Sequence, residues 1–188
     1  MTLLVIGVLL WWVTHLFPLM ARPTRNRMAA AMGENAYKGV YSLVTLAIVL
    51  LIGFAFAWAP FEPVYLPPAW GVHANNLLML FAVAGLGAAH SKSRIRKVVR
   101  HPMLWGVVLW AVAHLLANGD LAGLILFGGL GLWAIAAMFA TNARDGAWTP
   151  PEGLSAAGDI RLAVISVVVF AVIGAIHFYL FGVWPFGG

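Results

Sequence analysis

The sequence has no cysteine. Without thiolates there is no disulfide framework, no iron–sulfur cluster, no c-type haem attachment and no cysteine-bound zinc. Any metal or cofactor then falls to His, Met, carboxylates or backbone. Charge is scarce as well. Only 9% of the 188 residues are Asp, Glu, Lys or Arg, while 63% are hydrophobic, and the mean hydropathy is +0.93. A soluble domain carries about 25% charged and about 45–50% apolar residues. In a chain this short, one core cannot hide that excess, and a water-soluble fold would expose large apolar patches. The composition excludes an ordinary soluble domain, a disordered chain and a nucleic-acid module. It points to a membrane.

What is present is a series of apolar runs. A membrane-spanning helix needs about 20 mostly apolar residues to cross about 30 Å of hydrocarbon. Six runs qualify as spans: residues 2–20, 39–59, 72–90, 102–117 (short but uncharged), 121–140 and 162–181. Between them, Arg22-Pro23-Thr24-Arg25 reads as a helix end and a polar loop. Pro60, Pro63, Pro67 and Pro68 make a stiff, non-helical connection. Asn118-Gly119-Asp120 reads as a helix stop and an N-cap, giving a tight hairpin. Pro102 suits a first helical turn, residues 146–158 read as a loop, and Asp159 is a candidate cap for the last helix.

The 11 Lys and Arg residues obey one rule. They all fall in the first, third and fifth connections or at the start of the last span: Arg22, Arg25, Arg27 and Lys38; Lys92, Arg94, Arg96, Lys97 and Arg100; Arg144 and Arg161. The alternation matches the positive-inside pattern. The expected architecture is an all-α integral membrane bundle of six transmembrane helices forming one domain, residues 1–188, with both termini outside the cytoplasm. The first run lacks a basic n-region and a small-residue cleavage site, so it reads as a retained helix.

No Asp, Glu, Lys or Arg lies in the interior of any expected span; histidines do. Ionisable groups in hydrocarbon default to functional hypotheses. From a helical rise of about 1.5 Å per residue, His15 lies about 9 Å and His114 about 18 Å from the cytoplasmic boundary, with His177 near the outer interface. His15 and His114 are therefore the candidate metal ligands. The bland reading is interhelical hydrogen bonding, worth about 0.6–2 kcal/mol. Two imidazoles, with no thiolate and no buried carboxylate, favour bis-imidazole haem over zinc, which wants three or four protein ligands. Trp110 lies one turn from His114 and is placed to wall a flat macrocycle, or simply to pack. Lys92, Arg94, Arg96 and Lys97 read as anchors on anionic lipid. Arg100 and His101 are candidate partners for a carboxylate such as a haem propionate. The glycine pair Gly119 and Gly123 and the cluster Gly128, Gly129 and Gly131 suit close helix contact, and Trp58, Trp70, Trp148 and Trp184 suit an aromatic belt. No catalytic residue is assigned.

Several segments carry a resemblance. Arg100-His101-Pro102-Met103-Leu104-Trp105-Gly106, Leu109-Trp110-Ala111 and Ala113-His114-Leu115-Leu116-Ala117-Asn118-Gly119-Asp120 resemble the signature of the NnrU family. So do His15-Leu16-Phe17-Pro18, Gly33-Glu34 and Tyr37-Lys38-Gly39-Val40-Tyr41-Ser42. The resemblance runs from residue 1 to about 140. It implies a multi-pass protein of the bacterial inner membrane linked to nitrite and nitric oxide reduction. The family includes 15-cis-zeta-carotene isomerases, whose two haem b histidines map onto His114 and His15 here. Where those isomerases carry a cysteine before the second ligand, this chain has Ala111, so haem binding is what carries over and carotenoid isomerisation is not. The expected function is a haem b membrane protein with redox or isomerase-like activity on a hydrophobic substrate or with a membrane redox partner. The alternatives are a non-enzymatic assembly or regulatory factor for nitrogen-oxide respiration and, third, a small-molecule transporter. Expected partners are the lipid bilayer and copies of the chain itself; no nucleic acid is expected.

Overall fold

A computed structural model describes residues 1–186. These form seven helical segments: α1 (Thr2–Met20), α2 (Arg22–Met32), α3 (Glu34–Ala57), α4 (Gly71–Ala88), α5 (Pro102–Ala117), α6 (Leu121–Asp145) and α7 (Ala156–Phe181). No strand interrupts them among the described residues. Five helices, α1, α3, α4, α6 and α7, are long and apolar enough to cross a membrane. The sixth expected span, α5, has the expected bounds, but its 16 residues rise only about 24 Å. It is short of a full hydrocarbon core and lies between α4 and α6, packed on both.

Several sequence expectations change. The first connection is not a loop: α2 fills it, because Pro23 sits in its first turn and Met28-Ala29-Ala30-Ala31-Met32 are strong helix formers. Gly33, at φ 83°, ends it. The last helix starts at Ala156, not residue 162, and its cap is Ser155, whose hydroxyl accepts from Gly158 N at 3.1 Å. Asp159 instead clamps the neighbouring loop, accepting from Ser93 Oγ at 2.8 Å and from the Arg94 amide and Nε at 2.7 and 2.6 Å. His90 lies beyond the end of α4 and is exposed. The Asp120 cap is as expected, its carboxylate accepting from Gly123 N at 2.8 Å.

The helices pack in the order α3, α1, α6, α5, α4, α7. The late helix α6 sits between the first helix and the α4–α5 hairpin, which makes it the centre of the core. Leu4 and Val8 of α1, Ile48 and Ile52 of α3, Ala111 of α5, and Leu126 and Phe127 of α6 are buried together. Small residues set the spacing. A Cβ on Gly106 would stand 2.8 Å from the Ala82 carbonyl oxygen, and one on Gly85 would stand 2.9 Å from the Gly106 Cα, so the α4 and α5 backbones touch. Gly129 and Gly131 likewise face Val8 and Ala111 closely, whereas Gly119 serves the turn beside Tyr65.

The two ends of the bundle differ. At one end the basic connections are tied together: Arg25 pairs with Glu34 at 2.7 Å, Arg94 with Asp159 at 2.6 Å, Ser155 N donates to Lys92 O at 2.9 Å, and Arg100 reaches Gly146 O at 2.8 Å. At the other end the proline-rich segment lies on the α5–α6 turn. There Val64 N donates to Gly119 O and Leu121 N to Glu62 O, both at 2.8 Å, and the Tyr65 hydroxyl bonds the carbonyls of Leu115 and Asn118. Trp58, Trp70 and Trp184 flank helix ends at this pole, all largely exposed. The length and hydropathy of the helices mark a multi-pass membrane protein.

Candidate functional site

Pro18, in the last turn of α1, has no amide hydrogen, so the carbonyl of Thr14, four residues back, loses its helical donor. The Tyr41 hydroxyl of α3 takes that acceptor at 3.3 Å. This places the Tyr41 ring against His15, with ring centroids 6.0 Å apart. His15 lies flat on Trp11, at 3.8 Å and 21°, and meets the edge of Trp133 at 5.4 Å. Its Nδ1 bonds the Trp11 carbonyl oxygen at 3.0 Å. A carbonyl only accepts, so Nδ1 carries the proton and the Nε2 lone pair of the neutral ring is left free.

His114 repeats the arrangement on α5. Its Nδ1 bonds the Trp110 carbonyl oxygen at 2.9 Å, again leaving Nε2 free in the neutral ring. The ring stacks on Phe127 at 4.4 Å and 23°, with Trp110 tilted beside it at 5.2 Å. Phe127 lies inside a π-helical turn, Leu124–Gly128, a wide turn often found at functional sites. Both histidines thus meet the same helix, α6, at rings six residues apart, or about 9 Å along its axis. They sit in separate aromatic cages and share no ring neighbour among the described contacts.

At the basic end, a cleft of about 380 Å³ opens between α1, α5, α6 and the 89–101 connection. Its wall includes His15, Trp133 and Thr141, with Leu19, Met103, Leu104 and Ala137 as the apolar part. Its rim carries Arg96, Arg100 and His101. The volume falls in the range of small-ligand sites. His101 Nε2 contacts the Asn142 side-chain oxygen at 2.8 Å, and Arg96 bonds Ser91 O at 2.8 Å, so both are oriented from behind. Three sequence candidates, His15, Arg100 and His101, therefore come together, while His114 and Trp110 lie outside the cleft.

Two cleft residues were not legible as site residues. Arg96 reads in sequence as a lipid anchor, yet it and Arg100 are half-buried while Lys92, Arg94 and Lys97 are exposed. Trp133 sits mid-span and looks like packing. It is 8% exposed, and its indole N–H has no acceptor in the protein; the Trp11 N–H beside it has none either. No three His, Asp or Glu side chains gather as a metal cluster among the described residues.

The comparison with known families decides the affiliation, since the NnrU protein family matches residues 3–185. The chain belongs to the NnrU family. The match takes in α7 as well as the N-terminal motifs, and so reaches well past residue 140, where the motif resemblance ended. No curated protein and no solved structure matches this NnrU chain.

Proposed function

We propose that this NnrU-family protein is a haem b-binding protein of the bacterial inner membrane, linked to nitrite and nitric oxide reduction and carrying redox or isomerase-like activity. The observation that supports it best is the paired state of His15 and His114, each with Nδ1 tied to its own helix and Nε2 left free. A backbone acceptor on the far ring nitrogen is the usual support for a metal-ligating imidazole. The residues suit the cofactor in chemical kind, with neutral imidazoles as ligands, Arg100 and His101 as partners for its carboxylates and Trp110 as a flat apolar wall, but the two imidazoles sit in separate cages, so one haem between them requires those cages to open. When bound, haem b supplies one-electron chemistry that these side chains lack. The protein residues orient the ligand and exclude water. Both termini lie on the periplasmic side, with all 11 cations cytoplasmic, and α5 counts as the sixth span within the bundle.

The test is an absorption spectrum of detergent-purified protein from haem-replete cells, with and without dithionite. A low-spin Soret band with split α/β bands is expected. His15→Ala and His114→Ala should each abolish that low-spin spectrum while leaving the helical content intact. Protein purified without haem under these conditions overturns the reading.

The stacked rings favour a second reading. Each imidazole already lies flat on an aromatic neighbour, as a packing group would. On that reading the protein is a non-enzymatic assembly or regulatory factor for nitrogen-oxide respiration. His15→Phe and His114→Phe together then leave the nitrite-reduction phenotype of cells unchanged.

A further inference from the structure

The cleft holds more recognition chemistry than a pair of carboxylate partners. Arg96, Arg100 and His101 converge on its rim from one connection and the start of α5, and no acidic side chain lines it. Below the rim the wall turns apolar through Leu19, Met103, Leu104 and Ala137. Trp133, more than nine-tenths buried, ends this wall with an indole N–H that no protein group accepts. The cleft therefore offers a cationic mouth over an apolar throat that the Trp133 ring closes.

We propose that this cleft is a binding site for an anionic phospholipid of the cytoplasmic leaflet, its phosphate held by Arg96 and Arg100 beside His101 and its glycerol and acyl portion lying along the apolar wall. Basic pockets between helices on the cytoplasmic side are the usual site for phosphate-headed lipids. Arg suits the oxyanion because its planar fork gives paired donors. The half-buried state of Arg96 and Arg100, against the exposure of Lys92, Arg94 and Lys97, separates this site from diffuse attraction to the leaflet. The assignment does not rest on haem. The same rim suits any oxyanion carried on an apolar body, a cofactor carboxylate included, and lipid is favoured because the cleft opens at the basic end of the bundle.

Native mass spectrometry of the detergent-purified protein, titrated with phosphatidylglycerol or phosphatidylcholine, tests it. A one-to-one phosphatidylglycerol adduct is expected, with no comparable phosphatidylcholine adduct. Arg96→Gln with Arg100→Gln should weaken it about 25-fold, since each cation contributes about a factor of five. Arg96→Lys with Arg100→Lys should restore most of it, which also controls for folding. Lys92→Gln with Lys97→Gln should leave it intact. Equal loss in that lysine pair, equal binding of phosphatidylcholine, or displacement of the lipid by millimolar inorganic phosphate overturns the proposal. Because a haem carboxylate would use the same Arg100 and His101, the lipid titration is run on protein from haem-depleted cells and the haem spectrum is read on haem-replete samples: an adduct without a haem spectrum rejects haem alone, and a haem spectrum with no adduct on the haem-depleted protein rejects lipid alone.

Discussion

The hydroxyl of Tyr41 donates to the carbonyl oxygen of Thr14 at 3.3 Å, filling the acceptor that Pro18 leaves without a donor. One missing amide hydrogen in α1 thereby fixes a residue of α3 and, through it, one wall of the His15 cage. The bond is a substitute for a helical one, and that makes it testable as a pair. Tyr41→Phe should destabilise the protein by about 1 kcal/mol. In a Pro18→Ala background, where the residue 18 amide reclaims Thr14 O, the same substitution should cost less than half as much. Unfolding in detergent, followed by circular dichroism for the four variants, measures the coupling.

The absence of native cysteine allows a clean test of orientation. Val64 and Val98 are 52% and 78% exposed at opposite ends of the bundle. A membrane-impermeant maleimide applied to spheroplasts should label the Val64→Cys variant and spare Val98→Cys until the membrane is opened. The reverse pattern would invert the proposed topology.

The contact between α4 and α5 leaves no room for a methyl group. Gly106→Ala places a Cβ 2.8 Å from a backbone oxygen on α4 and should cost about 1–3 kcal/mol. Gly39→Ala, on α3 with nothing within 4 Å, should be neutral or stabilise by up to about 1 kcal/mol. Midpoints of thermal aggregation in one detergent compare the two.

At the proline-rich end, burial first and the charge of Asp120 second push the Tyr65 phenol above its ordinary range. The protonated hydroxyl is the donor to Leu115 and Asn118. A raised folded-state pKa means its contribution is complete below about pH 10, the unfolded value, and is lost as pH rises through the folded value. Proteolysis within residues 58–70 should therefore accelerate in that alkaline window. Tyr65→Phe should show faster cleavage at neutral pH and lose the alkaline step.

How much of this was legible in sequence depended on what ends a helix. α1 and α5 were readable to the residue because Arg22-Pro23 and Asn118-Gly119-Asp120 change both polarity and backbone chemistry at once. α3, α6 and α7 run further than their apolar runs, since a helix does not stop where hydrocarbon does. Glu34 and Lys38 lie one turn apart and pair at 3.5 Å, and Arg144 pairs with Asp145 at 2.6 Å, so these charged turns stay helical in water. His15 stood out in sequence as an ionisable group within an apolar span, and Arg100 and His101 as the pair at the start of another; the structure brings the three to one cleft. Trp133 did not stand out, because nothing local distinguishes a packing tryptophan from one lacking an acceptor; that property exists only once α1 and α6 are side by side.

The position of α6 also bears on how the protein is made. Emerging from the ribosome, α1 with α3 and α4 with α5 can each form a hairpin, but the helix that lies between α1 and α5 is synthesised after both. The cage around His15 lacks Trp133, and that around His114 lacks Phe127, until α6 inserts. Any binding of the proposed cofactor by these cages would therefore be a late event in biogenesis, gained when one inserted helix joins two halves already waiting in the bilayer.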